Sequence, residues 1–114
     1  MGRQRKDEYA QLLKNFVLKG RKEEDRFLDR LLMSALIEAR SCERFRLLSL
    51  EITDEHLRQF YHGLMIAEAY HYRLFLDIAE YYCDKNRVKE RWRQWLSYET
   101  DVMKQLELRG DRMH

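Results

Sequence analysis

Apolar residues recur at spacings of three and four in four separate stretches of this chain, the period of amphipathic helices, and no stretch alternates with the period of two that a strand requires. Tyr9, Leu12, Leu13, Phe16 and Val17 mark a first helix over 6–19, closed by Gly20. A second begins near Glu23 with an acidic first turn that suits the helix dipole. It continues through Phe27, Leu28, Leu31 and Leu32 to about Glu51. Thr53 is the predicted N-cap of a third helix, which runs to about Cys83. Asp84-Lys85-Asn86 then breaks the pattern and caps a fourth helix over about 87–108, with Val88, Trp92, Trp95, Val102 and Leu106 as its apolar stripe. The linkers are too short to separate domains and no internal repeat is present. The expected architecture is one all-α domain over 1–114, an antiparallel helical bundle.

Polar residues interrupt this pattern at informative places. Leu31, Ala35, Glu38, Cys42, Phe45, Ser49 and Ile52 form the seam of the second helix, with a carboxylate inside it. The third helix reads Leu57, Tyr61, Leu64, Glu68, His71, Phe75, Ile78 and Tyr82 on its equivalent face. Glu68 and His71 are three residues apart, so they share a helix face and can reach one ion. Glu38 precedes Thr53 by 15 residues and Glu68 follows it by 15, so a hairpin folded there sets both carboxylates at one height. An unpaired carboxylate in a core costs several kcal/mol or takes up a proton. A divalent metal such as iron or manganese, which accepts carboxylate oxygen and imidazole nitrogen together, accounts for all three residues at once. Glu99 also lies on the apolar face of its helix. It points inward, either to an ion pair with Arg40 or Arg44 or to a supporting hydrogen bond behind a metal ligand. His56 and His62 are weaker candidates for ligation, and His114 is terminal.

Composition narrows the function classes further. The chain has 114 residues, 45% hydrophobic and 37% charged, with no proline and four glycines, which describes long solvated helices around one core. A net charge of +2 is far from the strongly basic balance of most nucleic-acid-binding domains. The chain has no apolar run near the ~20 residues needed to span a bilayer, and its start lacks the apolar region of a signal peptide. No membrane association and a cytoplasmic location are therefore expected. Cys42 and Cys83, in different helices, make no disulfide framework. Cys42 is expected to be a small buried side chain beside the Glu38 site. Arg109-Gly110-Asp111 is expected to be a glycine helix end followed by a charged tail.

Three separated blocks carry a family resemblance. Ala35-Leu36-Ile37-Glu38-Ala39-Arg40-Ser41-Cys42-Glu43-Arg44-Phe45, then Glu68-Ala69-Tyr70-His71-Tyr72, then the ending from Leu106 to His114 resemble, in order and spacing, the C-terminal half of the MiaE-type tRNA hydroxylases. The similarity covers about residues 27 to 114. It implies a ferritin-like fold with a non-haem di-iron centre that uses O2, with electrons from an unidentified donor, to hydroxylate the isopentenyl side chain of a modified adenosine beside the tRNA anticodon. By motif match, Glu38 is implied as a ligand or bridging carboxylate, Glu68 as the bridging one and His71 as a terminal nitrogen ligand.

The resemblance has one departure. Proteins of this type carry two Glu plus Glu-x-x-His sets, and this chain has one, since no histidine precedes His56. Either the chain is a fragment, or two copies pair through a two-fold interface and each lends Glu38, Glu68 and His71 to a shared site holding two irons. The homodimer is the favoured expectation because it also buries the seam. For tRNA contact, Arg87, Lys89, Arg91 and Arg93 interleave with Trp92 and Trp95 as phosphate and base contacts could, and Arg109 and Arg112 add cations in the tail. The same residues equally describe an ordinary amphipathic helix. Two competing functions stand beside the hydroxylase: a metal-binding or structural helical homodimer without that activity, and an inert bundle whose glutamates only satisfy arginines.

Overall fold

The computed structural model describes residues 2–18 and 22–112, and the side chains of 8–18 and 22–108. Four helices follow one another: α1 (Gly2–Lys14), α2 (Glu23–Glu51), α3 (Glu55–Tyr82) and α4 (Lys85–Arg112). No strand is present among the described residues. The most extensive contact is the antiparallel α2/α3 hairpin, against which α4 and the short α1 are laid. The assembly measures 48 × 35 × 18 Å.

Local chemistry fixes the helix ends. Glu23, Glu24 and Asp25 open α2 where the dipole favours anions. The N-cap of α3 is Asp54, one residue after the predicted Thr53, and its carboxylate accepts the Leu57 N–H at 3.0 Å. Asp84 does the same for Arg87 N–H at 3.1 Å, as the break at 84–86 predicts. The first helix departs from expectation. It ends at Lys14 rather than 19, because the next backbone groups are captured from outside the helix. Leu18 N–H donates to Asp29, and the Phe16 carbonyl accepts from Arg91. The predicted stop at Gly20 falls outside the described residues. The fourth helix continues through Gly110 to Arg112, so Gly110 is not the helix end expected for it.

The core joins Leu13 of α1, Leu28, Leu32, Ala35 and Leu36 of α2, Leu76 and Ala79 of α3, and Val88 and Trp95 of α4. Trp95, with no exposed surface, is the largest fully buried side chain. Each fully buried leucine or valine among these contributes about 1.5–3 kcal/mol. The inward face of α3 runs through the partly buried Tyr72 and the buried Leu76 and Ala79 to the Cys83 C-cap, turned away from the expected seam, and Leu57 and Tyr82 of that seam are exposed. The reason is that α1 and α4 cover only one side of the hairpin.

A buried carboxylate holds that side together. Asp29 has no exposed surface. Its Oδ1 accepts from Arg91 Nε at 2.8 Å and Trp95 Nε1 at 3.1 Å, and its Oδ2 from Leu18 N at 2.8 Å and Arg91 Nη2 at 3.0 Å. The Arg91 guanidinium also lies 4.2 Å from the centroid of the Phe16 ring, which stacks on Tyr98. Removing one partner of such a buried pair strands the other charge. Asp29→Ala is therefore expected to lower the unfolding free energy by about 3–5 kcal/mol. Denaturant unfolding measures it, and a cost near that of a surface substitution would contradict the assignment.

Candidate metal centre

Glu38 lies two positions after Leu36 and two before Arg40, and each step of two turns the helix by about 200°. Leu36 lies in the core, and Arg40 reaches α4. Glu38 therefore faces away from α4, onto the open side of the hairpin beside α3. There, among the described residues, it meets Glu68 and His71, and one ligating atom of each lies within 4.8 Å of the others. His71 Nδ1 is 3.9 Å from a Glu68 oxygen and 4.0 Å from a Glu38 oxygen. These separations are too long for hydrogen bonds. Donors held about 2.0–2.2 Å from one ion are themselves separated by roughly 3–4.3 Å, so the two histidine distances suit a shared cation. Among the described residues no arginine is paired with any of the three, and the carboxylates are half-buried. Two oxygens and one imidazole nitrogen form a donor set for a divalent first-row metal. The His71 side chain is 49% exposed, so the group is open on its outer side.

Ring pairs flank the group along the same groove. Phe27 packs edge-on against Tyr82 at one end, with centroids 5.8 Å apart. Phe45 stacks on Tyr61 at the other end, at 6.0 Å. Cys42, half-buried one turn beyond Glu38, directs its thiol to the Met65 carbonyl at 3.4 Å. His56 and His62 are exposed and stand outside the cluster.

Glu99 is buried, as expected, and the structure gives it the ion-pair role rather than a place behind His71. Arg40 grips it through two bonds of 2.7 Å, and the Tyr9 hydroxyl donates to it at 2.5 Å. These bonds tie α4 to residues of α1 and α2. Tyr9 and Asp29 were not singled out from the sequence, since Tyr9 reads as one apolar residue among several. Asp29 had a signal, a carboxylate next to Leu28 and one turn before Leu32 and Met33 on a buried stripe.

Of the cations expected to contact nucleic acid on the fourth helix, Lys89 and Arg93 are exposed and two others are engaged within the fold. Arg91 is consumed by Asp29 in the interior, and Arg87 pairs with Asp25 and Glu24 of α2. Trp95 is fully buried and Trp92 packs on Tyr72, so neither offers an open ring face in the way base stacking needs. The side chains of Arg109 and Arg112 lie outside those described.

Fold and donor set together define a class, the ferritin-like metal–carboxylate helical proteins, in which a Glu from one helix and a Glu-x-x-His from its neighbour project into a shared site. Comparison with known proteins places the chain within that class. It belongs to the MiaE family: the model for that family, described as tRNA-(MS2IO6A)-hydroxylase (MiaE), matches residues 3–114. A curated relative from Pseudomonas putida, named tRNA 2-(methylsulfanyl)-N(6)-isopentenyladenosine(37) hydroxylase, is 48% identical over 60 residues, which is 53% of this chain and 29% of the relative. A protein of the same name from Salmonella typhimurium is 47% identical over 53 residues, 46% of this chain and 19% of its own length. Membership implies a metal cofactor, and no helix among the described residues is long and apolar enough to cross a membrane.

The Tyr9–Glu99–Arg40 cluster yields a prediction about pH. Burial first, and then its bond to the Glu99 carboxylate, raise the Tyr9 hydroxyl above its ordinary value. The native state thus holds this proton more tightly than the unfolded chain, where tyrosine titrates near ~10. The stabilisation is complete below about pH 10 and is lost as the pH rises above it. Tyr9→Phe is expected to cost about 1.5–3 kcal/mol at neutral pH, the range for a hydrogen bond to a charged group. The variant should also show a shallower fall of stability above pH 10 than the parent. Parallel alkaline profiles would contradict it.

Proposed function

We propose that this chain forms part of an O2-dependent tRNA hydroxylase, with iron held by Glu38, Glu68 and His71, acting on the isopentenyl group of a modified adenosine. The observation that carries this is the convergence of those three side chains on one open face of a chain that belongs to the MiaE family. The relatives' printed names support the substrate class.

When bound, an iron pair supplies the redox chemistry: one atom of O2 enters a C–H bond of the substrate and the other leaves as water, with two electrons from an unidentified reductant and two protons. The rest falls to the protein. Glu38 and Glu68 bring two negative charges that offset a divalent cation, and His71 adds a nitrogen donor on the same side of α3 as Glu68. The Phe45/Tyr61 and Phe27/Tyr82 ring pairs give the groove apolar ends, a surface suited to a branched hydrocarbon side chain and one that sheds water. The Arg40–Glu99 pair fixes α2 from behind and so holds Glu38 toward the groove. A binding role without hydroxylation is distinguished by the product.

In cells expressing this chain in place of the endogenous hydroxylase, mass analysis of digested tRNA is expected to show the hydroxylated nucleoside, and His71→Ala is expected to lower its ratio to the unhydroxylated form by at least tenfold. Anaerobic loading with ferrous iron should give bound metal in the parent and not in His71→Ala. Metal bound equally by both would refute the ligand assignment, whereas metal binding with no change in the nucleoside ratio would leave a metal-binding protein without this activity.

A further inference from the structure

Among the described residues, Tyr70 is the exposed ring that stands against a member of the candidate metal centre. It is 67% exposed, and its ring centroid lies 6.2 Å from that of His71 with the planes at 65°. The other strongly exposed aromatic residues have different neighbours: Tyr81 and Tyr82 face each other, Tyr82 also meets Phe27, and Phe60 packs on Tyr61. Ile66 and Leu74 lie four residues before and after Tyr70, so the three line one ridge of α3, and they are 56% and 40% exposed. The core takes the Tyr72–Leu76–Ala79 side of the helix, so packing does not account for this ridge. Arg73, three residues after Tyr70, adds a cation on the same edge. It pairs with Asp77 at 3.3 Å, and both side chains are more than half exposed. A pair so open to water contributes little and exchanges readily for another anion.

We infer that Tyr70 is the stacking platform for the substrate adenine, with Ile66 and Leu74 extending it and Arg73 holding a flanking phosphate. The inference rests on the hydroxylase reading above and adds how the nucleotide is held. Sequence-specific recognition of RNA loops splays a base out and stacks it on an aromatic side chain, while phosphate contacts set its position. The ridge offers that combination: a flat ring, apolar neighbours on either side for a purine wider than a phenol ring, and a cation one turn on. Its place decides the substrate. A base stacked on Tyr70 lies alongside His71, so an isopentenyl chain leaving its N6 edge has only the imidazole to cross before it reaches Glu38 and Glu68, which with His71 form one cluster. The base and its phosphate then stay at the wet rim, and the hydrocarbon enters the groove between the Phe45/Tyr61 and Phe27/Tyr82 pairs. An apolar peptide on the same ridge would desolvate Arg73 without pairing it, whereas a phosphate pairs with it.

The test is equilibrium binding, by fluorescence anisotropy, of the full chain without metal to two labelled anticodon stem–loop RNAs. One carries isopentenyladenosine and the other plain adenosine at the same position. The parent is expected to prefer the isopentenyl loop. Tyr70→Ala should bind that loop about tenfold more weakly, the loss of one base–aromatic stack, and Tyr70→Phe should restore the affinity. Arg73→Gln should make the salt dependence shallower by about 0.7 in log K per log salt, the share of one phosphate on a single strand, and Tyr70→Ala should leave that slope unchanged. Helical circular dichroism and anaerobic uptake of ferrous iron should be the same in Tyr70→Ala as in the parent, since no ligand is altered. A Tyr70→Ala chain that binds the isopentenyl loop as the parent does, or a Tyr70→Phe chain as weak as Tyr70→Ala, would overturn the platform and leave the hydroxylase reading standing. An unchanged salt slope in Arg73→Gln would overturn the phosphate contact. A parent blind to the isopentenyl group would overturn the substrate reading and this inference with it.

Discussion

A carboxylate with no access to water organises this molecule. Asp29 lies at the interior junction of α2 and α4, where Arg91, the Trp95 indole and the Leu18 amide all converge on it. Such a group is tolerable only if every lone pair is used, and using them commits three segments of chain at once. Leu18 cannot remain in a continuing first helix, Arg91 cannot reach solvent, and Trp95 is turned fully inward. A second tie one side of the same stripe, between Arg40 and Glu99, extends the attachment toward the middle of α2. The two pairs differ in weight. Asp29 is fully buried and its pairing cannot be exchanged for water, whereas Arg40 is half exposed, so much of the value of its pair is screened.

From this attachment the rest of the geometry follows. With Asp29, Leu36 and Arg40 committed to α4, the opposite face of α2 is left open, and that face carries Glu38. α3 lies alongside, its Tyr72–Leu76–Ala79–Cys83 face inward and the stripe containing His71 outward. The candidate metal centre is thus on the outside of the described structure, at the floor of an apolar groove. The hairpin places ligands and the α1/α4 layer braces them from behind, which separates the element that gives the fold its stability from the surface where chemistry can take place.

That separation also bears on the cationic residues of α4, of which Arg91 and Arg87 are engaged within the fold while Lys89 and Arg93 are exposed. An arginine on an amphipathic helix can face water or be drawn inward by a carboxylate on a neighbouring element. Asp25 and Asp29 do the latter for Arg87 and Arg91. The same ambiguity held for Glu99, where both a partner arginine and a supporting bond to a ligand were open, and Arg40 took it.

The sequence by itself determined the four helices, the boundaries of α2 and α3 to within a residue or two, the inward position of Glu99, and the three blocks that mark the MiaE family. It also determined that Glu38, Glu68 and His71 would share a height, because helical period and distance from a turn are local quantities. Tertiary structure alone decided which side of the hairpin would be covered. That choice depends on which of several available carboxylates captures each arginine, a competition between residues some 60 positions apart that no local pattern records. It fixed the early end of α1, the burial of Arg91 and the exposure of the groove, because a buried charge must find its partners wherever in the chain they lie.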